Sequence, residues 1–263
     1  MNRGRRILRN RFTPALTKQG SILNTEKPAL TFRYLDIIIA VFAAILITSN
    51  VASSAKIIDL KISIMGMQLA FDGGTLLFPL AYVIGDLLTE VYGYKTARRA
   101  IWVGFLALAL SSLFFFILRI LPGDESWEYY AGQNSYEAIL GGMSTGGIAL
   151  ASFLAYLVGS LSNAVVLSRM KVLMKGRLLW ARTIGSSIIG ELLDSLLFVA
   201  IACLTGVFPR ELFGTLVLTN CILKLSFEVL MTPFCYLFTH MLKKAEGLDV
   251  YDVGVKYNPF GFR

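Results

Sequence analysis

Five carboxylates, Asp86, Glu90, Glu191, Asp194 and Glu228, and one lysine, Lys224, lie inside long apolar stretches of this chain. A charge at the centre of a bilayer costs at least ~2.5 to 3.5 kcal/mol, so each of these groups needs a partner or a task. Asp86 and Glu90 are four residues apart within FPLAYVIGDLLTEVYGYKTARR, the stretch from Phe78 to Arg99, which puts both on one face of a helix. Glu191 and Asp194 share a face at a spacing of three, and Lys224 and Glu228, at a spacing of four, could pair with each other. Ser152, Tyr156, Ser160 and Asn163 form a polar stripe at the same helical spacing. Two readings stand. The groups pair privately and fix helix register, or they face one another across a polar interior that water, protons or a donor-rich ligand completes. Phe78, Tyr82 and Phe227 lie close to the acids in sequence. Carboxylates that accept paired N–H donors, together with flat ring faces, suit a planar heterocycle with a guanine-like edge.

The elements that must hold these residues are membrane helices. The chain has 263 residues, 56% of them apolar, and a mean hydropathy of +0.65, well above that of a soluble domain. Six apolar segments are each long enough for the ~20 residues that cross a hydrocarbon core. They run over Tyr34 to Ala55, Gly74 to Tyr94, Ala100 to Leu121, Ser144 to Ser168, Thr183 to Phe208 and Phe213 to Leu242. If the N-terminus is cytoplasmic, 20 of the 25 Lys and Arg fall on the cytoplasmic side and only Lys56, Lys61, Arg119 and Arg210 on the other. The positive-inside bias therefore places both termini in the cytoplasm. It also accounts for the net charge of +8 without direct nucleic-acid binding.

Residues 1–33 read as a disordered basic cytoplasmic arm and not a cleavable signal peptide, because no apolar core follows the charges. The connector from Lys56 to Gly73 reads as a short hairpin or a re-entrant lid. The one from Pro122 to Met143 carries Trp127, Tyr129 and Tyr130 and suits an interfacial belt. Cys203, Cys221 and Cys235 have no C-x-x-C spacing and the chain has a single histidine, so neither a disulfide framework nor a metal site is expected. Gly85-Asp86-Leu87-Leu88-Thr89-Glu90 and Gly190-Glu191-Leu192-Leu193-Asp194-Ser195 occupy the middle segments of the two halves, which run in opposite directions. Inverted repeats would give this pattern, and so would ordinary small-residue helix packing.

Several runs together carry a resemblance: FPLAYVIGDLLTEVYGYKTARRAI, ASFLAYLVGSLSN, LLWARTIGSSIIGELLDSLLF, LKLSFEVLMTP and DVYDVGVKYNPF. In this order, over roughly residues 35 to 260, they resemble the queuosine precursor transporter family, also called the putative vitamin uptake transporter family. The resemblance implies a six-helix inner-membrane importer of 7-deazaguanines such as preQ0, preQ1 or queuine, used in tRNA modification. Asp86, Arg98, Asp194 and Lys224 carry the family pattern, and Glu90 and Glu228 match many members. Where relatives commonly have Asp this chain has Asn163, and where they commonly have Gln or Asn it has Glu191.

The expectation is thus an all-α integral membrane protein with six transmembrane helices in residues 34–242, arranged as two inverted three-helix halves if the repeat is real, and a cytoplasmic tail at 243–263. Its function is import of a queuosine precursor, a small heterocycle, across the bacterial inner membrane without a cofactor. Asp194 and Glu191 would hold the guanine-like edge, with Asn163, Glu228 and the aromatics Phe78, Tyr82 and Phe227 around it. Asp86 and Glu90 would bind a coupling proton or a cationic arm of the ligand, Lys224 would balance the empty site, and Arg98 and Arg182 would mark its cytoplasmic end. Two rivals are a substrate-binding membrane subunit driven by an ATP-hydrolysing partner, and an intramembrane enzyme using paired carboxylates.

Overall fold

The computed structural model describes residues 32–64, 67–144, 146–205, 210 and 213–261. The expected basic arm falls almost wholly outside the described residues. Among the described residues, five helices are long and apolar enough to cross a membrane. These are α1 (Leu35–Ala55), α3 (Tyr94–Ile120), α6 (Gly146–Leu173), α7 (Leu179–Leu204) and α8 (Phe213–Glu246). Their apolar side chains cover the outside of the bundle, with Leu106, Leu110, Phe114, Ile120 and Leu230 exposed as lipid-facing residues must be.

The expected second span, Gly74 to Tyr94, is built differently. A 3-10 turn (Gly73–Leu76) leads into a ten-residue helix, α2 (Phe78–Leu87), which passes directly into a π-helical turn (Leu88–Tyr92) and stops at Gly93. From Phe78 to Tyr92 this rises only about 22 Å, short of the ~30 Å hydrocarbon thickness. The polar content of the stretch explains why it is not a lipid-facing span: irregular backbone and carboxylates are tolerated at depth only where protein surrounds them. Protein does surround them. α1, α6 and α8 pack on α2, the π turn lies against α3, α6 and α8, and every residue from Asp86 to Tyr94 is buried. Leu87, Leu88, Val91, Tyr92 and Tyr94 form the main apolar core with Ala97, Ala100, Ile101 and Ala164.

The connector after α1 is a hairpin, which decides between the two sequence readings and is the exception to an otherwise helical fold. β1 (Ile57–Ile64) and β2 (Met67–Asp72) pair antiparallel from Ile57↔Asp72 to Ile64↔Met67, with a bulge between Asp59 and Ser63. The acidic connector after α3 forms two short helices, α4 (Glu125–Tyr130) and α5 (Gly132–Ser144). Asp124 caps the first by accepting from the Ser126 amide at 2.9 Å. The second packs on α1 and α3 and ties down through the Tyr136 hydroxyl, which donates to the Phe115 carbonyl at 2.7 Å.

α6 and α7 approach each other most closely through Gly159 and Gly190. A Cβ on Gly159 would sit 2.8 Å from Asp194 Cβ and 2.9 Å from the Gly190 carbonyl oxygen; one on Gly190 would sit 2.8 Å from Asn163 Cβ. Only glycine permits this contact, and it sets Asn163 and Asp194 beside the same helix crossing. After α8 the chain folds back over one end of the bundle. The Val250 amide donates to the Val91 carbonyl, and Asp252 accepts from the Tyr94 amide at 2.8 Å and the Ser168 hydroxyl at 2.6 Å. Trp102 Nε1 donates to the Pro259 carbonyl. Gly93, at φ +82°, makes room for this strap, since a Cβ there would lie 2.9 Å from Asp252 Oδ1.

Candidate functional site

Two groups of buried charges lie along α2. At the π turn, Glu90 is completely buried and its carboxylate meets three cations: Arg182 at 3.0 Å, Lys243 at 2.6 Å and Lys171 at 3.6 Å. Lys171 also donates to the Glu90 main-chain carbonyl, to the Val250 carbonyl at 2.6 Å and to Asp249 at 2.6 Å. Asp249 in turn lies 2.9 Å from Lys243. Burial pushes the Asp249 carboxyl up, but hydrogen bonds from Lys171 and Lys243 outweigh it and hold the group below its ordinary range. This knot occupies the basic end of the bundle, where Arg98 donates to the Asn258 carbonyl of the strap. Sequence reading placed Lys171, Lys243 and the strap at this end only as charges and a tail. The run DVYDVGVKYNPF is the feature that could have shown they are built in, because Asp249 and Asp252 share it with three aromatic residues, Tyr251, Tyr257 and Phe260.

The second group lies along α2 from Asp86 toward Phe78. Asn163 donates from Nδ2 to Asp86 at 2.8 Å, Lys224 donates to Asp194, and Ser187 donates to Glu228. The expected pairing of Lys224 with Glu228 is therefore not what forms: each turns instead to α7, which packs against α8 and offers a partner across the helix interface. Glu191 is buried close to Lys224, Asp194 and Glu228. Among the described residues, neither Glu191 carboxylate oxygen, nor Glu228 Oε2, Asn163 Oδ1 or the Ser195 hydroxyl, has a hydrogen-bond partner. In formal charges, the described residues at this end include four carboxylates, Asp86, Glu191, Asp194 and Glu228, and one lysine.

A narrow cleft with about 30 Å³ of interior space opens between these helices. Phe42 and Leu46 of α1, Ile101 of α3 and Ala81 of α2 supply apolar walls, and Phe78, Tyr82 and Tyr156 supply rings. Thr89, Ser160, Asn163 and Asp194 supply the polar edge. Gly85 also faces the cleft, and a Cβ added to it would meet nothing within 4 Å. Three members of the polar stripe on α6, Tyr156, Ser160 and Asn163, thus reach the wall.

Of the residues expected at the site, Asp194, Asn163, Phe78 and Tyr82 line the cleft, and Lys224 reaches it with its ammonium 5.8 Å from the Phe78 ring centroid. Asp86 stands behind Asn163, and Glu191 and Glu228 behind Asp194 and Lys224, none of them in the wall itself. Glu90 does not line the cleft either, although its neighbour Thr89 does. Glu90 lies one turn beyond Asp86, within the π turn, where Arg182, Lys171 and Lys243 engage it. Phe227 is half-buried on α8 and does not line the cleft. Arg182 joins Glu90, and Arg98 joins the strap.

Residues 72–238 match the family model described as "Putative vitamin uptake transporter". Among curated proteins, the chain is 27% identical over 175 residues to the "Probable queuosine precursor transporter" of Bacillus subtilis, covering 66% of this chain and 73% of that protein. It is 28% identical over 150 residues to a protein of the same name from Haemophilus influenzae, covering 55% and 59% of the two chains. Over 152 residues it is 26% identical to the "Queuosine precursor transporter" of Escherichia coli, covering 58% and 63%. No solved structure matches the chain.

Proposed function

Because the chain belongs to the putative vitamin uptake transporter family, a family of transporters and not of enzymes, we propose that it imports a queuosine precursor, a 7-deazaguanine, through the cleft between α1, α2, α3, α6 and α7. The observation that carries the proposal is the wall chemistry. Asp194 and the unpartnered Asn163 Oδ1 are acceptors, and Phe78, Tyr82 and Tyr156 are flat faces around a gap left open at Gly85. A guanine-like edge presents adjacent N–H donors, which two acceptors can take while the ring stacks. Glu191 and Glu228 stand near enough to share a coupling proton behind Asp194. The broken α2 completes the six-span count together with the turn that precedes it, and discontinuous helices at the substrate site recur in transporters assembled from repeated halves. In this reading the protein is a multi-pass inner-membrane protein whose basic end, with both termini, faces the cytoplasm.

Uptake of labelled preQ1 into cells that cannot make the precursor tests the proposal. The chain restores uptake, and Gly85→Phe, which sets a bulky ring in the cleft at a position where the Cβ itself meets nothing within 4 Å, abolishes it at equal membrane abundance. No uptake with the unaltered chain refutes the function; equal uptake by Gly85→Phe refutes the cleft.

A further inference from the structure

The interior space of the cleft, about 30 Å³, holds little more than a water molecule, so a bicyclic ligand enters or leaves only when helices move apart. Toward the basic end the cleft is closed by packed residues. Ile101 of α3 and Ala164 of α6 line it and also belong to the main apolar core. Ala164 is one turn from Ser168, and Ile101 is two turns from Tyr94; both Ser168 and Tyr94 bond the C-terminal strap. The seam between α3 and α6 thus runs from the cleft wall to the strap, which lies across it. On the α3 side the Asn258 and Pro259 carbonyls accept from Arg98 and Trp102. On the α6 side the Tyr257 hydroxyl lies 3.0 Å from that of Ser168, and Lys171 donates to Asp249 and to the Val250 carbonyl. Asp252 reaches both sides with one atom: its Oδ2 accepts from the Tyr94 amide at 2.8 Å and from the Ser168 hydroxyl at 2.6 Å, and the residue is buried.

We propose that the strap is the latch that closes the cleft at the basic end, and that Asp252 fastens it by tying α3 to α6. The inference rests on the reading of the cleft as the transport path. While Asp252 holds both helices to one oxygen, they cannot part beside Ile101 and Ala164. Opening requires only that the strap leave α6. The Tyr94 amide belongs to the first turn of α3, where Gly93 at the N-cap has no side chain to offer, and a carboxylate is the favoured partner of a helix N-terminus. Asp252 therefore stays on α3 as its cap when Ser168 lets go. Asp249, released from Lys171, keeps Lys243 of α8 at 2.9 Å. The strap moves with α3, and α6 moves with α7, to which the close contact of Gly159 and Gly190 binds it.

The test is the accessibility of a thiol in the cleft. Gly85→Cys supplies it where a Cβ meets nothing within 4 Å, in the full chain with Cys203, Cys221 and Cys235 changed to Ala. Membrane vesicles that present the basic end to a small, membrane-impermeant methanethiosulfonate report how often the cleft opens on that side. With the strap unaltered the thiol labels slowly. Ser168→Ala cuts the tie to α6 and leaves the cap on α3, and it raises the labelling rate about tenfold, the size of one hydrogen bond to a charged group. Asp252→Ala raises the rate at least as much. An unchanged rate in Ser168→Ala overturns the proposal, since Asp252 is then a cap of α3 alone, a role in which Ser168 has no part. Fast labelling with the strap unaltered overturns it as well, because the cleft is then open at this end without release of the strap. Should Asp252→Ala fail to fold, Ser168→Ala decides by itself. No ligand is needed for labelling, so a failure of preQ1 uptake refutes the transport reading while the labelling rates judge the latch separately.

Discussion

Glu90 and Asp194 are both buried carboxylates on inner helices, yet they live in opposite electrostatic surroundings. Around Glu90 the cations are in excess: Arg182, Lys171 and Lys243 converge on one carboxylate, with Asp249 the second acid. Around Asp194 the acids are in excess, and among the described residues Lys224 is the one lysine paired there. The first arrangement is closed, because its salt bridges bind three helices, the π turn and the C-terminal strap to one another. The second is open, because its unpartnered buried atoms are acceptors beside a cleft, whereas those of the first, Glu90 Oε2 and Arg182 Nε and Nη1, include acceptor and donors within one cluster. The difference teaches that depth in the membrane and burial do not by themselves mark a binding site. The marker is a mismatch between acceptors and donors that a ligand can correct.

Glu90→Gln gives the largest expected effect. It leaves Arg182 and Lys171, each at most 2% exposed, with uncompensated charge, and costs about 3–5 kcal/mol. A fall in thermal-unfolding midpoint much larger than that of Asp194→Asn is the expected reading. Equal losses for the two variants would erase the distinction between a structural and a functional cluster.

Gly159→Ala comes next. Its methyl group presses on the Gly190 carbonyl oxygen and on Asp194 from 2.9 and 2.8 Å, which separates α6 from α7 at a cost of about 1–3 kcal/mol. The same titration that follows ligand binding should show weaker affinity together with the lower unfolding midpoint. A loss of stability with full affinity would mean that the glycine contact does not position Asn163 and Asp194.

Asp194→Asn sharpens the comparison from the other side. Affinity for a queuosine precursor falls about tenfold or more while stability falls by less than in Glu90→Gln, since Lys224 is a quarter exposed and has Glu191 nearby. Smallest of all is the effect of acid on the strap. The Asp249 carboxyl is held below its ordinary value of 3.8, so the stability it contributes is present above that value and is lost as pH falls through the lowered one. Protection of the 248–261 segment from proteolysis should drop in that acidic window, and Asp249→Asn should remove the pH dependence.

Much of this was legible because the membrane imposes simple rules. Runs of apolar residues marked five helices to within a few positions, and the acids stood out because nothing in lipid tolerates them without cause. The polar stripe on α6 was readable for the same reason, and three of its four residues reach the cleft. The expected pairing of Lys224 with Glu228 assumed partners on one helix, and closer partners on α7 took both groups.

The sequence by itself determined that this is a helical membrane protein, that its basic residues gather at one end and that its interior carries more acid than base, because composition and hydropathy act residue by residue. Which acids are neutralised and which are left for a ligand was decided only by tertiary structure. Ion pairing depends on ångström-scale distances between helices, and those distances are set by Gly159, Gly190 and the irregular turn at Leu88–Tyr92 acting together.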